Sequence, residues 1–136
     1  MNTLSSCKTI SFVPTTNLAR AREFYRMTLG LRLISESEFG LMFELSGAML
    51  RVVQMGQIFT MRHTVLGWKV PNISAVVDEL IQKEVQFEHY DGFIQDEQGI
   101  WTSPDGDRVA WFRDPDGNIL SLTQFKVEVQ AELTKR

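Results

Sequence analysis

The spacing of apolar positions changes period several times along the chain, and it does so twice in the same order. The run "KTISFVPTT" is rich in β-branched and aromatic residues and predicts a strand. Asn17 then stands where a helix N-cap belongs, and Leu18, Ala21, Phe24, Tyr25 and Leu29 fall on or near one face of a helix over 18–29. Gly30 follows at the usual C-terminal stop. Three short strands are predicted next, over 31–35, 40–45 and 48–54, with Ser46-Gly47 as a tight turn between the last two.

The second half repeats this order. "HTVLGWKV" predicts a strand, Asn72 caps a helix over 73–84, and Ile73, Val76, Val77, Leu80 and Ile81 form its apolar stripe. "VQFEHY" reads as a strand, 92–106 as a longer loop or bent strand carrying Trp101, and 108–113 and 118–124 as strands flanking the turn Asp114-Pro115-Asp116-Gly117. Each half is βαβββ. Asn17-Leu18 matches Asn72-Ile73, Ala21 matches Val76, and Tyr25 matches Leu80. Aligning Gly47 with Gly117 lays "MLRVVQ" on "ILSLTQ" and Gln54 on Gln124. A duplicated unit too small to bury its own core implies two modules packed about a pseudo-two-fold. Module one spans about 8–54, the linker 55–62, module two about 63–125, and the tail 126–136 reads as a short helix or frayed end of a single domain over 1–136.

Composition narrows the function classes. With 136 residues, 43% hydrophobic and 23% charged, the chain has globular composition and enough length for a real core. A net charge of −3 without a basic cluster argues against nucleic acid as a partner. No apolar run is long enough for a bilayer, and "MNTLSSCKTISFV" lacks the basic flank and apolar stretch of a signal peptide, so no membrane partner and a cytoplasmic location are expected. The lone Cys7 excludes an internal disulfide framework and a cysteine zinc cage.

Paired βαβββ modules, "NLARAREFYRMTLGLRL" in the first helix and "FRDPDGNILSL" near the end resemble the vicinal oxygen chelate superfamily of glyoxalases, bleomycin-resistance proteins and ring-cleavage dioxygenases, over Lys8 to Phe125. The resemblance implies an α+β fold in which two tandem βαβββ modules form a curved mixed-sheet cup with helices on the outside, and a homodimer. It does not fix the activity, because this scaffold hosts isomerases, lyases, dioxygenases, thiol transferases and drug-binding proteins. The DPDG stretch itself reads as a hairpin turn: Pro fixes φ, Asp side chains bond nearby backbone N–H groups, and Gly accepts positive φ.

In the superfamily each module can offer a metal ligand from its first strand and another from its last. The corresponding positions lie seven residues before the capping Asn (Ile10 and Val65) and four after the turn Gly (Arg51 and Ser121). Ile10 and Val65 have no donor atom, Arg51 is a permanent cation, and Ser121 alone is a feeble ligand. No metal or other cofactor is therefore expected.

Period-two alternation puts Met49, Arg51 and Val53 on one face, with Ile10 and Phe12, Val65 with His63, and Ser121 with Ile119. Trp111 and Arg113 are assigned to the same side because Ala110 and Phe112 suit packing under a helix. The expected ligand-binding set is Ile10, Phe12, Met49, Arg51, Val65, Trp111, Arg113 and Ser121, with His63 as the candidate base. Arg51 either pairs with Glu44 or fixes an anionic group of a ligand. The favoured reading is a binding protein for a small, partly apolar anionic molecule. The alternatives are a metal-dependent glyoxalase-type lyase, isomerase or dioxygenase, and a metal-free enzyme using Arg51 and His63.

Overall fold

The structure, a computed structural model, describes residues 3–126. The tail predicted over 126–136 lies, apart from Lys126, outside the described residues. The elements are β1 (Ile10–Thr15), α1 (Leu18–Glu23), a π-helical turn (Phe24–Thr28), β2 (Arg32–Ser37), β3 (Gly40–Leu45), β4 (Ala48–Gln54), β5 (Leu66–Lys69), α2 (Ile73–Gln82), β6 (Trp101–Thr102), β7 (Arg108–Arg113) and β8 (Ile119–Gln124). They form an α+β fold with two four-stranded mixed sheets, ordered β1-β4-β3-β2 and β5-β8-β7-β6. No helix among the described residues is long and apolar enough to cross a membrane.

The chain divides into two compact units, residues 3–60 with Asp114–Asn118, and Met61–Arg113 with residues 119–126. In the first, Asn17 Oδ1 accepts from Arg20 N at 3.1 Å and starts α1. The helix widens in its last turn, where Leu29 N donates to Phe24 O, and ends at Gly30 with φ +74°. Ala21 and Tyr25 pack on the face of the sheet that carries Val13, Leu41, Phe43, Leu50 and Val52, all buried. Each such large apolar side chain contributes roughly 1.5–3 kcal/mol by leaving water. The alternate residues of the same strands face the other way. The pairings Phe12↔Arg51 and Arg51↔Met42 define the central row of that open face.

The second unit repeats the plan. Asn72 Oδ1 caps α2 at Ala75 N, and Gln124 Oε1 adds a bond from Ile73 N at 2.8 Å. Ile73, Val77 and Leu80 are buried, as are Leu66, Ala110, Phe112, Leu120 and Leu122 of the sheet. Ile81 is 43% exposed, so the apolar stripe is narrower than the periodicity predicts. The central row of the open face is Gly67↔Ser121↔Trp111. Matching this row to Phe12↔Arg51↔Met42 pairs Arg51 with Ser121, as does the alignment of the turn glycines.

One predicted strand is replaced. Over 85–90 the backbone meets β7 only at the Phe87↔Phe112 bridge and through Glu88 N to Trp111 O. The chain then leaves the sheet at Gly92, φ +89°, and returns as the two-residue β6. Gln95 explains the break. Its amide nitrogen donates to Glu88 O (2.9 Å) and Gly99 O (2.7 Å), and its oxygen accepts from Tyr90 N (2.7 Å). A side chain thus satisfies backbone groups that a continuous strand would have paired.

Candidate functional site

The loop held by Gln95 carries aromatic rings over the open face of the second unit. Tyr90 and Phe93 stand 5.4 and 5.6 Å from Trp111, at interplanar angles of 73° and 45°. Trp101 joins them, 5.0 Å from Phe93 and 6.1 Å from Trp111. Beside this cluster Arg62, His63, Thr64, Tyr90, Phe93, Trp111 and Ile119 line a cavity of about 260 Å³. His63 Nδ1 lies 3.0 Å from Thr64 O. A carbonyl only accepts, so Nδ1 carries a proton, and the neutral tautomer consistent with this bond has Nε2 as an acceptor. Burial, then the nearby Glu88 carboxylate, raises the Tyr90 phenol above its ordinary pKa, with Arg113 partly opposing. Tyr90 therefore stays a neutral phenol at pH 7.

The first unit has a different cavity, about 410 Å³, lined by Lys8, Ile10, Ile34, Glu44, Met49 and the Ser46-Gly47 turn among others. It gathers Ile10 and Met49 from the expected binding set. Phe12, 59% exposed, and Arg51, also exposed, share the open face but line neither cavity. Glu44 does not pair with Arg51; it lies 3.6 Å from Arg32, its cross-strand partner in the β2–β3 register. In the second unit His63 and Trp111 meet in the smaller cavity, while Ser121 is buried in the strand beneath and Val65 precedes β5. Arg113 is engaged by Glu88. Sequence reasoning missed Arg62, Tyr90 and Phe93. The signal available was the aromatic spacing in "HYDGFIQDEQGIW", which reads as loop because of its charges and glycines.

The DPDG turn is a clamp for the first unit, not a pair of catalytic acids. Asp114 accepts from Asp116 N, Asn118 N, Asn118 Nδ2 and, at 2.7 Å, the hydroxyl of buried Tyr25. Burial, reinforced by the Asp114 charge, raises the Tyr25 phenol well above its ordinary pKa. Asp116 accepts from the Thr15 and Thr16 hydroxyls, Thr16 N and Arg20. Burial alone would raise the Asp116 carboxyl, but these bonds and the Arg20 charge hold it below the usual carboxylate range.

The profile of the Glyoxalase/Bleomycin resistance protein/Dioxygenase superfamily matches residues 7–122. The chain belongs to this superfamily. Solved structures with the same fold include a lactoylglutathione lyase from Agrobacterium tumefaciens (16% identity, 88% of this chain and 93% of that one, TM-score 0.69). A glyoxalase/bleomycin resistance protein/dioxygenase from Alicyclobacillus acidocaldarius is equally close (15% identity, 90% and 93%, TM-score 0.69). So is an integron cassette protein from the Halifax Harbour sewage outfall metagenome (19% identity, 88% and 99%, TM-score 0.68). At these identities the likeness concerns the fold. No curated protein matches.

The superfamily's metal does not fit the residues present. The first unit offers the hydrocarbon of Ile10 and the guanidinium of Arg51, and the second offers the hydrocarbon of Val65 and one serine hydroxyl. Neither pair suits a divalent ion, which takes imidazole, carboxylate or thiolate ligands. Among the described residues no three His, Cys, Asp or Glu side chains gather in a way that could hold one.

Proposed function

We propose that this superfamily member captures a small, partly apolar anionic molecule without the help of a metal ion, and that it does so as a homodimer. The observation that carries the reading is the cavity of the second unit, whose lining among the described residues has three aromatic rings, one arginine, one histidine and no carboxylate. Apolar walls with a few polar points are the usual make-up of a small-molecule pocket. At about 260 Å³ it lies below the roughly 300–1,000 Å³ of drug-sized sites, which favours a metabolite-sized ligand over a large antibiotic.

Metal independence is tested by elemental analysis and by thermal shifts with micromolar Ni²⁺, Zn²⁺, Mn²⁺ and Fe²⁺. We expect no stoichiometric ion and little stabilisation, since linkage requires a specific site. A near-stoichiometric transition metal surviving dialysis overturns this. Light scattering that gives a monomer at high micromolar concentration removes the dimer.

His63 favours one second reading, a metal-free enzyme in which His63 moves a proton of a compound bound in the second-unit cavity; Arg51, the other residue of that reading, lies in the first unit and does not line this cavity. Its Nδ1–H is tied to Thr64 O, which leaves Nε2 basic beside the aromatic cavity. Under that reading, His63→Gln abolishes turnover of a bound compound while leaving its affinity within severalfold.

A further inference from the structure

The cavity of the second unit also indicates which anions it prefers. Trp111, Tyr90 and Phe93 form three mutual pairs with centroids 5.4 to 6.3 Å apart and planes inclined by 45° to 73°. Rings inclined in this way present both faces and edges to the space beside them. A flat ring entering it can lie against one face and receive the edge of another, the two arrangements that the aromatic quadrupole favours. An aliphatic chain of equal area gains only the burial. The volume of about 260 Å³ admits one ring or two fused rings.

The polar ends are also distinguishable. Among the described residues Arg62 is the only permanent charge in the lining, and no carboxylate opposes it there. Glu88, whose charge acts on Tyr90, is engaged by Arg113. With Nδ1–H committed to Thr64 O, the neutral tautomer of His63 presents a lone pair at Nε2. That nitrogen repels a carboxylate and suits a hydroxyl or N–H on the ligand. The acid end is thereby left to Arg62, whose fork accommodates a planar carboxylate through two parallel bonds.

We infer that the second unit holds a binding site for planar aromatic carboxylates, with the ring among Trp111, Tyr90 and Phe93 and the acid on Arg62. The inference rests on the proposed capture of a small anion and narrows it to one chemical class. A quaternary ammonium ion, the other guest of aromatic cages, is disfavoured by Arg62 and by the lack of a carboxylate in the lining.

The test is calorimetric titration of the full chain with four probes: 2-naphthoate, 2-naphthamide, cyclohexanecarboxylate and choline. We expect 2-naphthoate to bind at least tenfold more tightly than each of the others. Arg62→Gln should bring it down to the level of the amide without changing the amide, and Arg62→Lys should restore part of the difference. Arg26→Gln removes a positive charge from an exposed site in the first unit and should leave all four unchanged. Equal binding of cyclohexanecarboxylate, tighter binding of choline, or naphthoate binding indifferent to Arg62→Gln overturns the assignment. Native mass spectrometry of freshly purified protein separates the two levels. A co-purified non-aromatic anion sinks the aromatic class and leaves small-anion capture standing. The absence of any co-purified anion, together with no binding of the four probes, removes both.

Discussion

The two units share a plan and differ in how they use the face that the helix does not cover. In the first, the central row runs Phe12, Arg51, Met42: a bulky ring on the edge strand and, in the middle, an exposed cation. In the second, the matching row runs Gly67, Ser121, Trp111: no side chain at the edge, a small hydroxyl in the middle and the bulk on β7. The helix-facing rows hardly differ, with Phe43 and Leu50 in one and Phe112 and Leu120 in the other, all buried. Duplication has kept what packs and let diverge what faces outward. Only the second unit interrupts its outer strand, and that interruption supplies the rings of the candidate site.

The turns that join the last two strands differ as well, and this gives the largest effect to measure. Asp114→Ala removes the acceptor of four hydrogen bonds and strands the buried Tyr25 hydroxyl, so we expect a loss of about 3–5 kcal/mol in chemical denaturation. At the equivalent first-unit turn, Ser46→Ala should stay within about 0.5 kcal/mol, because Ser46 is exposed. Equal losses would show that the two turns do the same work.

Next come the glycines. A Cβ on Gly40 would lie 2.5 Å from the backbone oxygen of Val52, which cannot swing aside, so Gly40→Ala should cost about 1–3 kcal/mol. A Cβ on Gly67 would meet the Ser121 hydroxyl at 2.8 Å, and that side chain can rotate. Gly67→Ala should therefore cost under about 1 kcal/mol, and a larger loss would mean that Ser121 is locked in place.

Acid sharpens the comparison further. Asp116 is held below its ordinary pKa, so its stabilising contribution is present above the unfolded-state value near 3.8 and is lost as pH falls through the lower folded value. Melting between pH 5 and pH 2 should show a destabilisation that Asp116→Asn diminishes; an unchanged acid profile in the variant would remove the clamp from the account. The smallest effect concerns Arg51. Being exposed and without a partner among the described residues, Arg51→Met should leave stability within about 0.5 kcal/mol. A loss of aromatic-acid affinity greater than that from Arg62→Gln would move the anion site to the first unit.

Much of this was legible in the sequence where a period or a cap dictates it. β3, β4 and β7 begin and end where alternation and the turn residues place them, and Asn17 and Asn72 cap as their positions demand. Ala110 and Phe112 declare the buried side of β7 by size and polarity alone. The broken strand was not legible, because its cause is one glutamine side chain bonding backbone groups up to seven residues away. Neither was Arg62, which sits in a linker with no periodicity to orient it. The choice of partner for Glu44 depended on strand register, which set it opposite Arg32.

The DPDG clamp bears on how the protein is made. Tyr25 and Asp114 are separated by 89 positions, and Thr15 and Asp116 by 101. On a ribosome adding residues from the N-terminus, β1 to β4 emerge long before the segment that completes their polar network. Until then the Tyr25 hydroxyl, the Thr16 amide and the Arg20 guanidinium lack the carboxylates that accept from them in the folded chain, and loop closure over that distance must precede the reward. The first half of the chain is thus the early-born half and the late-finished one, and a nascent fragment cut at the linker would lack its last stitch.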